Sequence, residues 1–193
     1  GGRVRSEALA RMETIIGEPS DTGLSAALDA FYGAWSDFAA RPSASGVQGA
    51  VQESGAKVAQ QLNRSAQRLD ELQVETRQRL ESAVDEVNEI ATAIADLNQE
   101  IVAAESGGQS ANTLRDQRDL KLDRLVQLTG AEVLESADGS VGVLLNGLSL
   151  VDGSQVRPLT TSTVNGITEV TRASLPTRPV QIGGELGALR QLS

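Results

Sequence analysis

From residue 45 to residue 105 no proline interrupts a continuous helical pattern, and the second half of that stretch carries a heptad repeat. Leu80, Val87, Ile94 and Ile101 fall seven residues apart, interleaved with Ala83, Ile90, Leu97 and Ala104. An apolar seam of this period is buried only when a partner packs along it. The first half carries a looser stripe of Val47, Val51, Val58, Leu62, Ala66 and Leu69, and Gly49 and Gly55 weaken its opening turns. At 1.5 Å per residue the segment reaches roughly 90 Å, the length of a rod.

A partner helix follows in the sequence. Gly107-Gly108 turns the chain, and Ser110 or Asn112 is placed to cap a helix over residues 113–129. Its apolar face is Leu114, Leu122, Leu125, Val126 and Leu128, and Gly130 suits the left-handed residue that ends a helix. So short a link predicts an antiparallel helical hairpin, with the seam against Leu114, Leu122 and Leu125. Charge points the same way: seven acidic and no basic residues lie from Glu81 to Glu105, opposite Arg115, Arg118, Lys121 and Arg124. Such pairs select partner and orientation, although the acidic run is equally well read as a solvated face.

Upstream, residues 3–16 form a short amphipathic segment. The Glu18-Pro19-Ser20-Asp21-Thr22-Gly23 stretch is turn chemistry, in which Ser20, Asp21 or Thr22 can cap a helix over residues 24–40. All the aromatic residues of the chain, Phe31, Tyr32, Trp35 and Phe38, lie in that helix. Leu28, Phe31, Trp35 and Phe38 recur at spacings of three or four, which predicts a core stripe.

After Gly130 the period changes to two. Asp138-Gly139, Asn146-Gly147, Asp152-Gly153 and Asn165-Gly166 are hairpin-turn dipeptides. Between them lie strand-like runs over residues 132–136, 140–145, 148–151, 156–160 and 167–172, with a weaker one at 178–182. The expected fold class is therefore α+β: an elongated antiparallel helical bundle or coiled-coil rod with a small antiparallel β-meander. Its parts are a helical rod domain over residues 1–130, a β-hairpin module over 131–182, and a truncated helix over 183–193 returning to the rod.

The composition excludes most chemistry. With neither Cys nor His, the chain has no disulfide, no Cys/His metal site and no Ser-His or Cys-His nucleophile pair. A net charge of −9 favours neither nucleic acid nor an anionic membrane. No stretch approaches the ~20 apolar residues of a membrane span. Asp138 and Asp152 beside glycines invite a calcium reading, yet neither sits in a D-x-D-x-D-G series, and both fall where a hairpin must turn. No phosphate loop or nucleophile elbow occurs. Neither enzyme, cofactor nor metal is expected. The Asp116-Gln117-Arg118-Asp119 block reads as ion pairing on a helix, with Arg115 and Asp119 four apart.

Three segments together resemble the flagellar hook-associated protein 1 family. The first runs from Gly17 through Glu18-Pro19-Ser20-Asp21-Thr22-Gly23 to Ser25, and continues into the Phe31…Trp35 helix and Arg41-Pro42. The second is Leu97-Asn98-Gln99-Glu100-Ile101, followed by Asn112 and Leu114 to Asp119. The third joins Asp138-Gly139-Ser140-Val141, Leu148 to Gly153, and Gly183-Gly184-Glu185-Leu186-Gly187. Arg115 departs from the pattern, standing where the family usually carries an apolar residue. The two ends, without initiator Met or signal segment, read as those of an interior fragment lacking both of the family's terminal helical segments.

The resemblance implies a structural protein exported by the flagellar secretion system to the hook–filament junction outside the cell, serving filament assembly and motility. It implies as partners other copies in a junction ring, the hook protein, and hook-associated protein 3, which meets flagellin. An export chaperone is implied only for the missing C-terminal segment, whose helix is expected to share the seam. The alternative on the residues alone is a cytosolic coiled-coil adaptor that binds partner helices through the 80–104 seam.

Overall fold

The computed structural model describes Ser6, Ala10, residues 23–164 and residues 167–192. The expected helix over 3–16, apart from the helical and exposed Ser6 and Ala10, lies outside the described residues, as does the Asn165-Gly166 turn. The chain divides into two compact units, one within Ser6–Val74 and one over Glu75–Ser193. The division falls inside the long helix and not near Gly130, where the change of sequence period placed a domain boundary.

In the first unit, α1 (Leu24–Ala40) starts at Gly23, an extended residue that provides no side-chain cap, and stops before Pro42. A residue preceding proline is biased away from helical backbone, so the helix ends at Ala40. Helix α2 (Val47–Ser106) begins after Gly46, whose φ of +85° suits only glycine without strain. Gly55, read as a weak point, has a use. A Cβ there would lie 3.4 Å from Cε2 of Phe31, so its bare backbone seats the Phe31 ring.

In the second unit, α2 ends at Ser106 and turns through Gly107-Gly108, where the Gln109 N–H donates to the Ala104 carbonyl and the Gly108 N–H to Glu105, each at 3.0 Å. Helix α3 (Asn112–Thr129) then returns. The residue at its N-terminal boundary is Ala111, not Ser110 or Asn112, and no side chain caps it. Gly130 ends it at φ +68°, with its N–H on the Val126 carbonyl at 2.7 Å. A short α4 (Gly184–Arg190) closes the unit, its start tied back to α3 by the Gly183 N–H on the Thr129 carbonyl at 2.9 Å.

The strands form two antiparallel sheets rather than one meander. The first has the order β1-β2-β3-β4, from β1 (Glu132–Glu135), β2 (Val141–Leu145), β3 (Leu148–Asp152) and β4 (Gln155–Val156). The second has the order β5-β6-β7, from β5 (Leu159–Val164), β6 (Ile167–Arg172) and β7 (Leu175–Pro179). Pro158 causes the split. It lacks the N–H a continuous strand over 156–160 would need, so the chain changes sheet there. The last strand likewise covers 175–179 and not 178–182, with Pro176 and Pro179 on a sheet edge, where missing donors cost no ladder bond.

One apolar cluster joins α2, α3 and α4 with both sheets. Leu80, Val87, Ile90 and Ile94 of α2 meet Leu122, Leu125 and Leu128 of α3, Val143 and Leu150 of the first sheet, and Val170 of the second. Leu186 and Leu189 of α4 belong to the same cluster. Helices and sheets here share one core, which is why no boundary between compact units falls at Gly130.

Candidate functional site

The heptad face of α2 is filled from within the chain, and its inner positions are not quite those read from the sequence. Leu80, Val87, Ile94 and Ile101 are fully buried. Their closest companions are Val84, Ala91 and Asn98, at alternating steps of four and three, with Ile90 buried beside them. Ala83, Leu97 and Ala104, expected as the inner row, are only half-buried. Two partners cause this shift. With α3 on one flank and the sheets on another, the buried stripe is wider than the two-position seam of a helix pair. Leu122 and Leu125 are buried, while Leu114 near the start of α3 is half-buried.

The shift brings a polar residue into the seam. The Asn98 side chain is 1% exposed and makes four hydrogen bonds. Its Nδ2 donates to the Val141 and Gly153 carbonyls, each at 2.8 Å. Its Oδ1 accepts from the Val141 N–H at 3.0 Å and from Arg118 Nη1 at 3.1 Å. Arg118, 3% exposed, also donates from Nη1 to the Gly139 carbonyl at 2.8 Å. Its Nε is buried and has no partner among the described residues. Burial lowers the Arg118 pKa, while Asp119 pulls it back up. The reading of the 116–119 block as a helical ion pair is corrected here. Arg118 is an interior anchor, and Asp116, Gln117 and Asp119 are exposed.

Arg115 reaches across the hairpin instead of along its own helix. Its Nε and Nη2 hold the two Glu105 carboxylate oxygens at 2.9 Å each. Nearer the middle of the hairpin, Arg124 holds Glu86 in the same forked way, at 2.8 and 3.0 Å. The charge complementarity of the hairpin is thus realised at its two arginine forks, a geometry Lys121 cannot reproduce.

The turn over residues 136–140 rests on the Arg115–Glu105 pair. Gly139 has φ +84°, and a Cβ there would stand 2.8 Å from Glu105 Oε2 and 3.2 Å from Arg115 Nη2. Asp138 takes no part in a ligand cluster. Its Oδ1 accepts the Ser140 N–H at 3.0 Å and the Ser140 hydroxyl at 2.7 Å, which hold its pKa below the usual carboxylate range. No group of three or more potential metal-ligating side chains occurs among the described residues. Nor, among them, is any helix long and apolar enough to cross a membrane.

Two surfaces stand open among the described residues. On the second unit, Ile90, Leu97 and Leu120 line a groove of 560 Å³ between α2 and α3, rimmed by Glu86, Glu89, Gln117, Lys121 and Arg124. Leu120 is 72% exposed. On the first unit the aromatic residues of α1 stack in file, with ring centroids 6.3 Å apart for Phe31 and Trp35 and 6.1 Å for Trp35 and Phe38. The core stripe expected from their spacing is corrected. Leu28, Phe31 and Phe38 are half-buried, Trp35 is 53% exposed, and no residue of α1 is fully buried. Among the described residues the helix packs on α2 alone, so its rings cover one another and the edge of α2. Of the Glu18–Gly23 motif only Gly23 is among the described residues, and it is buried at the start of α1.

A family model described as the flagellar hook-associated protein FlgK helical domain matches residues 9–193. The chain belongs to that family. The flagellar hook-associated protein 1 of Bacillus subtilis (strain 168) is 28% identical over 148 residues, which are 72% of this chain and 29% of that protein. The protein of the same name from Escherichia coli (strain K12) is 40% identical over 81 residues, 40% of this chain and 15% of its own length. Among solved structures, the flagellar hook junction protein FlgK from Burkholderia pseudomallei superposes with a TM-score of 0.86 at 24% identity. That match covers 98% of this chain and 36% of the solved one. The chain thus has the α+β fold of a FlgK helical domain, and it spans less than a third of the curated relatives it matches.

Proposed function

We propose that this chain is part of a structural, non-catalytic protein that joins hook to filament in the bacterial flagellum and is required for filament assembly. The observation that carries the reading is the family match over residues 9–193, at a length that leaves little of the chain outside it. The filled seam supports it against an adaptor role. The apolar positions an adaptor would offer to partner helices are occupied by α3 and the two sheets.

On this reading the protein is exported and sits outside the cell. Its partners are other copies of itself in a junction ring, the hook protein, and hook-associated protein 3. The groove at Ile90, Leu97 and Leu120 seats a further helix of the full-length protein, since the stretch matched in the Bacillus subtilis relative is only 29% of that protein. The exposed faces of Tyr32 and Trp35, with the Glu18–Gly23 motif, are the candidates for contact with neighbouring subunits. The second unit contributes a packed core in which many small contacts resist sliding.

Deleting the gene tests the reading. Electron microscopy should find completed hooks without filaments, and an immunoblot should find flagellin in the medium. Normal filaments on the deletion strain would overturn it.

A further inference from the structure

Apolar packing between a helix and a sheet is non-directional, so by itself it does not fix where along the helix each sheet lies. Two asparagines of α2 supply what it lacks. Asn98 brackets Val141 of the first sheet, donating to its carbonyl and accepting from its N–H. Asn88 does the same to Leu159 of the second sheet, with Nδ2 on the carbonyl at 2.9 Å and Oδ1 on the N–H at 2.8 Å. Each side-chain amide takes the place a neighbouring strand's peptide would take.

Only one amide orientation fits either bracket. A flipped Asn98 would set Nδ2 against two donors, the Val141 N–H and Arg118 Nη1, and Oδ1 against two carbonyls. The brackets lie ten residues apart on one helix, about 15 Å of rise. Leu159 and Val141 are also the first residues of β5 and β2. A strand held at its first residue has its register set for the whole of its length, and a one-residue slip would turn its buried face outward.

We infer that Asn88 and Asn98 are two independent register pins, each fixing the position of one sheet along α2 rather than supplying the stability of the unit as a whole. A buried polar group that specifies position at little gain in stability is a known use of asparagine in helix seams.

The test compares Asn88→Leu and Asn98→Leu in the 193-residue chain by thermal unfolding and by residue-resolved amide hydrogen exchange. Each variant should keep its helical circular dichroism and a single unfolding transition. Exchange should rise by more than roughly tenfold, the scale of one lost hydrogen bond, since Asn88→Leu loses two and Asn98→Leu four, at Leu159 and its strand for Asn88→Leu and at Val141 and its strand for Asn98→Leu. The other sheet should stay protected in each case. Unchanged exchange, or loss of both sheets together, overturns the inference. Should Asn98→Leu fail to fold, Asn98→Asp decides, because it keeps the acceptor for the Val141 N–H and loses the donor to the Val141 and Gly153 carbonyls. Faster exchange confined to the first sheet, at the start of β2 and the β3–β4 turn, supports the pin, and general unfolding of this variant too refutes it.

Discussion

Arg118 and Asn98, twenty residues apart across the helical hairpin, meet at 3.1 Å with both side chains almost wholly buried. The arginine also holds the Gly139 carbonyl, so its removal takes a donor from two buried acceptors at once, Asn98 Oδ1 keeping only the Val141 N–H. Arg118→Ala should cost about 3 kcal/mol, toward the upper end for a buried charged donor, measured by urea unfolding. Arg118→Met, which refills the volume without the charge, should cost less. Equal losses for the two would mean that the hydrogen bonds alone, and not packing, are at stake.

Ile94 has no exposed surface and lies midway along the buried face of α2. Ile94→Glu should therefore unfold the second unit, since a carboxylate there has no partner to offset its desolvation. Leu120→Glu, at a site 72% exposed, is the matched control and should leave the thermal midpoint nearly unchanged. An unaltered midpoint for Ile94→Glu would contradict the assigned core.

Gly139 combines a left-handed backbone with the Arg115–Glu105 fork directly above it. Gly139→Ala should destabilise by about 1–3 kcal/mol, from backbone strain and from displacement of the fork. In a double-mutant cycle, Glu105→Ala should relieve part of that cost. Strict additivity of the two would show that the turn does not rest on the pair.

Asp138 gives a pH signature. Its folded pKa is lowered by the two hydrogen bonds from Ser140, so the protonated form binds the fold less well. The contribution to stability is present above the ordinary aspartate pKa, near 3.9, and is lost as pH falls through the lower folded value. Ser140→Ala should move the Asp138 titration, followed by carboxyl NMR, back up toward the ordinary range. A titration unmoved by that change would remove the assigned cause.

Trp35 is the single tryptophan of the chain and is 53% exposed. Its fluorescence should be open to acrylamide in the isolated protein and shift little on unfolding. In assembled junctions, if the proposed contact forms, the quenching should fall. A strongly blue-shifted, quencher-resistant emission from the isolated chain would place the ring in a core.

The helices were legible because their signals are local and repeated. The proline-free run and the glycine stops at 107–108 and 130 located α2 and α3 within a residue or two. Three things were not legible, each for a physical reason. The buried row of α2 shifted by one position because two kinds of partner cover it, and a heptad reading assumes one. The split into two sheets turned on Pro158, whose missing donor mattered more than the β-propensity of its neighbours. Asn88 and Asn98 were hidden because their partners are backbone groups 71 and 43 residues away, which no spacing rule reaches. The aromatic spacing on α1 gave the right face, but not that the face would stay half open.

The chain leaves the helical hairpin at Gly130 and rejoins it at Gly183, where the two glycines nearly touch. A Cβ on Gly130 would lie 3.3 Å from the Gly184 nitrogen, and one on Gly184 would stand 2.6 Å from the Gln127 and Leu128 carbonyls. Everything from 131 to 182 therefore enters and departs through a single narrow gate. Hairpins at the far tips can lengthen, shrink or be exchanged without rerouting the helices, so variation in such a protein has a place to accumulate that leaves its frame intact.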